Sequence, residues 1–259
     1  MLILSIFPGI NLLGRGFEAA GFCVVRGPDL LWGGDIRNFH PPIKKFDGVI
    51  GGSPCQDFSK ARRNIPPTGE GREMLSQFVR IVKETQPEWF LLENVPTVPN
   101  IEVNDYTIQR LDLNAREVGA KQNRPRHFQF GSRAGIQISP NRDYLTHGWT
   151  EPTCMATEGT KKNRRTWQDF CQLQGLPDNF NLPGMTIAAK YTAVGNGVHV
   201  QVAIVLAQAI RDAYNRTEPI ALCACHCGRI VTGRQATATA ACRKRIQRRR
   251  NCDLANDNG

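Results

Sequence analysis

The stretch GVIGGSPCQDFSK, residues 48–60, sets a thiol just past an apolar run that ends in two glycines. Cysteine is more often a small buried hydrophobe than a reagent, so Cys55 at a strand-to-turn transition raises a question of nucleophilic chemistry. The glycines permit a tight turn and Pro54 fixes the backbone angle there. Lys60, Arg62 and Arg63 follow at once. Positive charge and a helix N-terminus are expected to lower the thiol pKa, and the thiolate is the attacking species. By itself such a cysteine is structural more often than catalytic. Two further segments put chemistry near strand ends: Glu93 closes the apolar run EWFLLEN (88–94), and Arg124 and Arg126 sit in QNRPR. Each also has an ordinary reading, a strand-end helix cap for the carboxylate and surface charges for the arginines.

The elements that must position these residues alternate. Apolar runs at 2–7, 22–25, 46–52, 88–94 and 127–132 read as strands. Residues 11–21 read as a helix closed by Gly21, and 74–86 as one with Leu75, Phe78, Val79 and Val82 on one face. Strands alternating with helices predict an α/β fold with a doubly wound, mostly parallel sheet. Ligands in such sheets sit outside the carboxyl ends of the strands. Asn11, Cys55 and Glu93 fall there, so three segments are expected to converge on one crevice. Residues 1–132 form the expected core and 133–163 an irregular segment. The span 164–214 returns to the core through helices at 166–175 and 199–214, and a linker at 215–222 leads into a Cys-rich basic tail, 223–259.

Composition adds a partner class. The 259-residue chain carries a net charge of +10, and residues 220–259 hold eight Lys/Arg against two Asp, +6 of that total. Such a tail points to a polyanion, the plainer alternative being a solubilising extension. The start, MLILSIFPG, reads as a first strand and not as a signal peptide. No uninterrupted apolar run approaches the ~18 residues of a membrane helix. A cytosolic protein with reduced thiols and no membrane partner is expected. Of the nine cysteines, Cys223, Cys225, Cys227, Cys242 and Cys252 crowd the tail. The first four, with His226 and Cys252 in reserve, offer soft ligands to a tetrahedral zinc ion; disordered reduced thiols are the alternative. The basic stretch CRKRIQRRR reads as a helix that binds phosphates without reading sequence.

In their order along residues 2–212, the blocks SIFPGINLLGRGF, GGDI, GVIGGSPCQDFS, GREMLSQFVRIV, LLENV, AKQNRPRHFQFGS, RRTWQDFCQLQGLPDNF and YTAVGNGV resemble the DNA cytosine-5 methyltransferase family. Carbon 5 of cytosine cannot take a methyl group from a sulfonium donor unaided. A thiolate adding at C6 turns the ring into an enamine-like nucleophile, with charge developing on N3 and O2. The resemblance therefore implies Cys55 as nucleophile, Glu93 holding a proton near N3 with a carboxyl pKa raised by burial, and Arg126 at O2. Arg124 would support the loop or the flipped nucleotide. It also implies S-adenosylmethionine as co-substrate: Phe7 against the adenine, Gly9, Ile10 and Asn11 at the methionine end, Asp35 facing the adenine amino group, Pro54 beside it, and Asn196 closing the pocket. Ser5 stands where the family usually has an acid, and Asp29 is the candidate for the ribose hydroxyls. Duplex DNA bound by a monomer with base flipping is the implied substrate.

The resemblance places target reading in residues 133–163, where Arg142, Tyr144, His147, Trp149, Lys161 and Lys162 could touch phosphates or bases. So small a surface predicts a target of about two to four base pairs. An RNA cytosine-5 methyltransferase and a catalytically silent DNA-binding protein on the same scaffold are the competing readings.

Overall fold

The computed structural model describes residues 1–58, 66, 68–142, 150–215, 223–225, 227–229, 231 and 236–256, the last eight as helical backbone. Lys60, Arg62, Arg63, Tyr144, His147, Trp149, the expected linker from 216 to 222, His226 and the side chain of Cys252 lie outside the described residues. The chain opens with β1 (Leu2–Ile6), α1 (Leu12–Ala19), β2 (Cys23–Arg26), β3 (Gly48–Gly52), α2 (Glu70–Thr85) and β4 (Trp89–Asn94). Two more strands, β5 (Thr107–Asn114) and β6 (Pro125–Ser132), complete a sheet ordered β2-β1-β3-β4-β6-β5. Strands β2, β1, β3 and β4 pair in parallel, whereas β6 runs antiparallel to both β4 and β5. The helices α3 (Trp167–Leu173), α4 (Ile187–Asn196), α5 (Val200–Asn215) and α6 (Ala240–Asn256) follow.

Alternation along the strands sends side chains to two cores. Ile3, Ile50, Trp89 and Leu91, with Phe128 and Phe130, meet α1 and α5 on one face; Leu4, Ile6, Val49, Phe90 and Leu92 meet α2 on the other. Helices on both faces make the sheet doubly wound, as expected. Each fully buried Phe or Leu contributes about 2–3 kcal/mol of apolar transfer free energy. Close approaches depend on missing side chains: a Cβ on Gly16 would stand 2.3 Å from Ala203 Cβ, so α1 lies directly on α5. Trp89 is wholly buried, with Phe17, Phe22 and Phe130 ring centroids 6.1, 6.1 and 6.3 Å away.

Three elements differ from the sequence reading. The β5 strand was not anticipated: it is a partly exposed edge strand that buries chiefly Leu111 and Leu113, too weak a pattern to stand out. Helix α4 was not anticipated, although the block YTAVGNGV falls partly within it. The helix expected from 74 starts at Glu70 instead, and it buries Met74 and Ile81 while Val79 stays half-buried. Its first turn is polar, and the cap comes from a distant carboxylate, described below. The span Ile187–Asn215 also contains an 18-residue window apolar enough to cross a membrane, with mean hydropathy 1.5, which the search for uninterrupted runs passed over. It is broken into α4 and α5, and 61% of the window is buried inside the protein, as in core helices.

Gly48 pairs with Trp89 across β3 and β4, and a Cβ there would stand 2.4 Å from the indole ring. Gly48→Ala should therefore lower the urea unfolding free energy by about 1–3 kcal/mol or more. An unchanged midpoint would show that the indole is not wedged as described.

Candidate active site

The carboxyl ends of β1, β3 and β4 open into one cavity of about 470 Å³, lined at one end by Cys55, Glu93 and Arg126 and at the other by the loop after β1. Cys55 is half-buried, three residues past β3. Two anchors that the sequence reading missed hold its loop. The Asn94 amide donates to Ser53 O (3.1 Å) and Ser53 Oγ (3.0 Å), tying the end of β4 to the turn before the thiol. The Asp57 carboxylate accepts from Thr68 N (2.9 Å) and Gly71 N (2.8 Å), which caps the otherwise side-chain-free start of α2. The signal for Asp57 was present as an Asp shortly before a helix, but its partner lies eleven to fourteen residues away.

Glu93 is the penultimate residue of β4, 7% exposed, with its side chain over Gly52: a Cβ on that glycine would stand 2.7 Å from Glu93 Oε2. Arg126 Nε stands 3.1 Å from Glu93 Oε1. That meeting follows from strand direction. Because β6 runs against β4, with Asn94 opposite His127, the start of β6 lies beside the end of β4. Burial raises the Glu93 carboxyl pKa, against the opposing charges of Arg126 and Arg124. Burial also raises the Cys55 thiol pKa, with the Glu93 charge adding to it and Arg126 and Arg124 pulling the other way. The expected lowered thiol is thus corrected: desolvation outweighs the nearby cations.

Arg124 does not line the cavity. It is 1% exposed, and its guanidinium donates to Cys154 O (3.0 Å), Gly195 O (2.7 Å) and Gly197 O (2.7 Å). Its reach to three carbonyls makes it a clamp, a positioning residue and not one of the groups that face the cavity. Gln122 and Gln174 extend the clamp. Gln122 Oε1 accepts from Cys154 N (2.8 Å), Gln122 Nε2 donates to Gln174 Oε1 (3.1 Å), and Gln174 Nε2 donates to Val194 O (2.7 Å). The blocks QNRPR, QGLP and VGNGV, far apart in the chain, are one hydrogen-bonded unit.

Phe7, Gly9, Ile10, Asp29, Asp35, Pro54 and the exposed Asn196 also line the cavity. The loop is strained: Phe7 and Asn11 have φ of 51° and 63°, the left-handed region that side chains avoid. Two contacts hold it there. Asp29 Oδ2 accepts from Gly9 N (2.7 Å), and Trp32 Nε1 donates to Gly9 O (2.7 Å). Asp29 is therefore partly committed to the loop, with its other oxygen accepting from Leu31 N (2.8 Å). Trp32 was missed; nothing in its local sequence marks a tryptophan that caps a loop 23 residues earlier. The cofactor assignment of Asn11 is corrected. Its side chain is buried outside the cavity lining, where Oδ1 accepts from Ser5 Oγ (3.1 Å) and the amide covers Gly14. With Ser5 in place of an acid, Asn11 finds its partner inward.

Residues 32–154 match the model of the C-5 cytosine-specific DNA methylase family. The chain is 32% identical over 211 residues to the Type II methyltransferase M.FnuDI of Fusobacterium nucleatum, covering 65% of this chain and 60% of that protein. To the Type II methyltransferase M.NgoPII of Neisseria gonorrhoeae it is 23% identical, covering 83% and 97%. Over residues 32–154 the chain is similar to the C-5 cytosine-specific DNA methylase family, and it spans 60% of the length of M.FnuDI. The alignment with M.NgoPII runs over 330 positions yet uses 83% of a 259-residue chain, so that relative carries segments this one lacks. Among solved structures, the methyltransferase EhMeth of Entamoeba histolytica shares the fold at a TM-score of 0.60 and 14% identity, covering 83% of this chain and 99% of that one. The S. pombe Dnmt2 methyltransferase does so at 0.56 and 11%, covering 83% and 100%.

Two outcomes test this geometry. Arg124→Met leaves three buried carbonyls without their donor and should cost about 3 kcal/mol or more in urea unfolding. Arg124→Lys should recover only part, because an ammonium lacks the planar fork. Alkylation of Cys55, followed by mass spectrometry of its peptide, should accelerate with a midpoint above the ordinary thiol value of about 8.5, and Glu93→Gln should move it down. A wild-type midpoint near neutrality would contradict the dominance of burial.

Proposed function

We propose that this protein methylates carbon 5 of cytosine in duplex DNA, using S-adenosylmethionine, through transient covalent attachment of Cys55 to C6. The observation that carries the reading is one cavity shared by Cys55, Glu93 and Arg126 with the pinned loop after β1. Its volume suits a ligand of that size, Phe7 offers a ring surface, and the Asp29 and Asp35 carboxylates suit amine and hydroxyl donors. Bound there, S-adenosylmethionine supplies an electrophilic methyl group.

The protein's own part is to make C5 a nucleophile. Cys55 gives up its proton to solvent and its sulfur adds to C6, moving the C5–C6 π pair onto C5. The charge that would collect on O2 meets the Arg126 guanidinium, and a protonated Glu93 delivers its proton to N3. Burial raises the Glu93 pKa, which favours the protonated form this step needs. Once C5 carries the methyl group, loss of the C5 hydrogen as a proton to solvent, departure of the Cys55 sulfur from C6 as a thiolate and return of the N3 proton to Glu93 restore the ring and the site. Cys55 and Glu93 are recessed at the strand ends, so the target base must leave its stack. The thiol, raised while the cavity is empty, becomes reactive when the base and its positive partners arrive together.

A duplex containing 5-fluorocytosine tests the mechanism, because fluorine cannot leave as a cation and the adduct persists. With methyl donor, wild-type protein should give a covalent complex on denaturing gels. Cys55→Ala should give none, and Glu93→Gln should form it about 10²–10⁴-fold more slowly. A complex formed as readily by Cys55→Ala would sink the mechanism. Methylation of tRNA in place of duplex DNA would replace the substrate, and none on either would leave a silent binding protein.

A further inference from the structure

A second chemistry-bearing cluster lies in the tail, apart from the cavity. The sulfurs of Cys223, Cys225, Cys227 and Cys242 all lie within 4.8 Å of one another, with Cys223–Cys225 at 3.5 Å and Cys227–Cys242 at 3.8 Å. Disulfide sulfurs stand about 2.05 Å apart, so these thiols are unpaired. Four thiolates held about 2.3 Å from one tetrahedral ion stand about 3.8 Å from each other, which is the spacing seen. Hydrogen-bond donors are turned toward the sulfurs. Ala238 N points to Cys223 Sγ (3.2 Å), and both Thr239 Oγ1 (3.1 Å) and Arg229 Nη1 (3.3 Å) point to Cys242 Sγ. Such donors suit thiolates, and clustered buried thiolates require a cation.

The cluster is also nearly the whole core of its region. Among the described residues, Val231, Ala238 and Ile246 pack around the four sulfurs, too little apolar surface to hold a fold by itself. Helix α6, which starts beside Cys242, is strongly polar and exposes Arg243, Lys244, Arg245 and Arg248. Among its described side chains only Cys242 and Ile246 pack inward, on the sulfur cluster itself. The cluster nevertheless docks on the sheet. Ser139 Oγ donates to Gly228 O (2.6 Å), and Gly228, at φ +76°, lies so close to β5 that a Cβ would stand 2.9 Å from Leu111 Cδ2. Ser139 belongs to the segment 133–163 that is expected to meet DNA.

We propose that Cys223, Cys225, Cys227 and Cys242 hold one zinc ion, and that this ion fixes α6 beside the recognition segment as an arm for the phosphate backbone. An all-sulfur tetrahedral donor set selects zinc over hard cations. The metal site stands on its own, whereas the arm's ligand rests on the DNA reading above.

Metal analysis of the full-length protein should find about one zinc per chain, and the cobalt-substituted protein should show intense thiolate-to-metal charge-transfer absorption. Cys223→Ser and Cys242→Ser should abolish both. The variant Arg243→Ala/Lys244→Ala/Arg245→Ala/Arg248→Ala should keep its zinc and still methylate saturating DNA at low salt. Its slope of log affinity against log salt for an arbitrary duplex should fall by up to about 3.6, near 0.9 for each of four lost phosphate contacts. A metal-free protein that takes up neither zinc nor cobalt, metal retained in both serine variants, or an unchanged salt slope would each overturn the proposal. None of these outcomes alters the 5-fluorocytosine adduct, so the two readings fail separately.

Discussion

The return of β6 along β4 in the opposite direction is the constraint on which the candidate site depends. In a purely parallel sheet the next strand would begin at the far edge, and its first residues would lie a full strand length from Glu93. Reversal brings the start of β6 to the cavity, and with it two arginines separated by one proline. They divide two tasks. Arg124 spends its guanidinium on three backbone carbonyls, and Arg126 keeps its own for the carboxylate at the cavity wall. A planar group with five donors suits the first task, since only a fork can satisfy carbonyls arriving from two segments at once.

Burial sets the electrostatics of this wall more than charge count does. Glu93 and Cys55 both have pKa values raised by desolvation although arginines stand close by. A carboxyl and a thiol whose pKa values are both raised by burial therefore share this wall with Arg126. The same low-dielectric setting strengthens every charge-assisted contact formed during the reaction.

The opposite end of the cavity stores conformational strain. Phe7, Gly9 and Asn11 all adopt left-handed backbone angles, and the loop persists because Asp29 and Trp32 grip both polar groups of Gly9. Backbone shaped in this way, rather than a set of side chains, defines the floor on which a ligand rests. The clamp of Gln122, Arg124 and Gln174 does the equivalent at the far side, joining the segment before β6 to α3, α4 and residue 154.

Much of this was legible in the chain. Buried parallel strands read as near-continuous apolar runs, so β1, β3 and β4 and the residues at their ends followed from hydrophobic pattern alone, as did the apolar faces of α2 and α5. Cys55 and Glu93 could be placed at strand ends for that reason. The edge strand β5 was not legible, because half its surface faces solvent and its residues need satisfy only one neighbour. Nor was it legible that Arg124 is a buried clamp while Arg126 faces the cavity, that Asn11 turns inward to Ser5, or that the thiol is raised. Local sequence specifies which groups are present and which strand they follow. Which carbonyls an arginine reaches, and how much water a thiol loses, depend on segments 30 to 73 residues away, and only the folded packing brings those together.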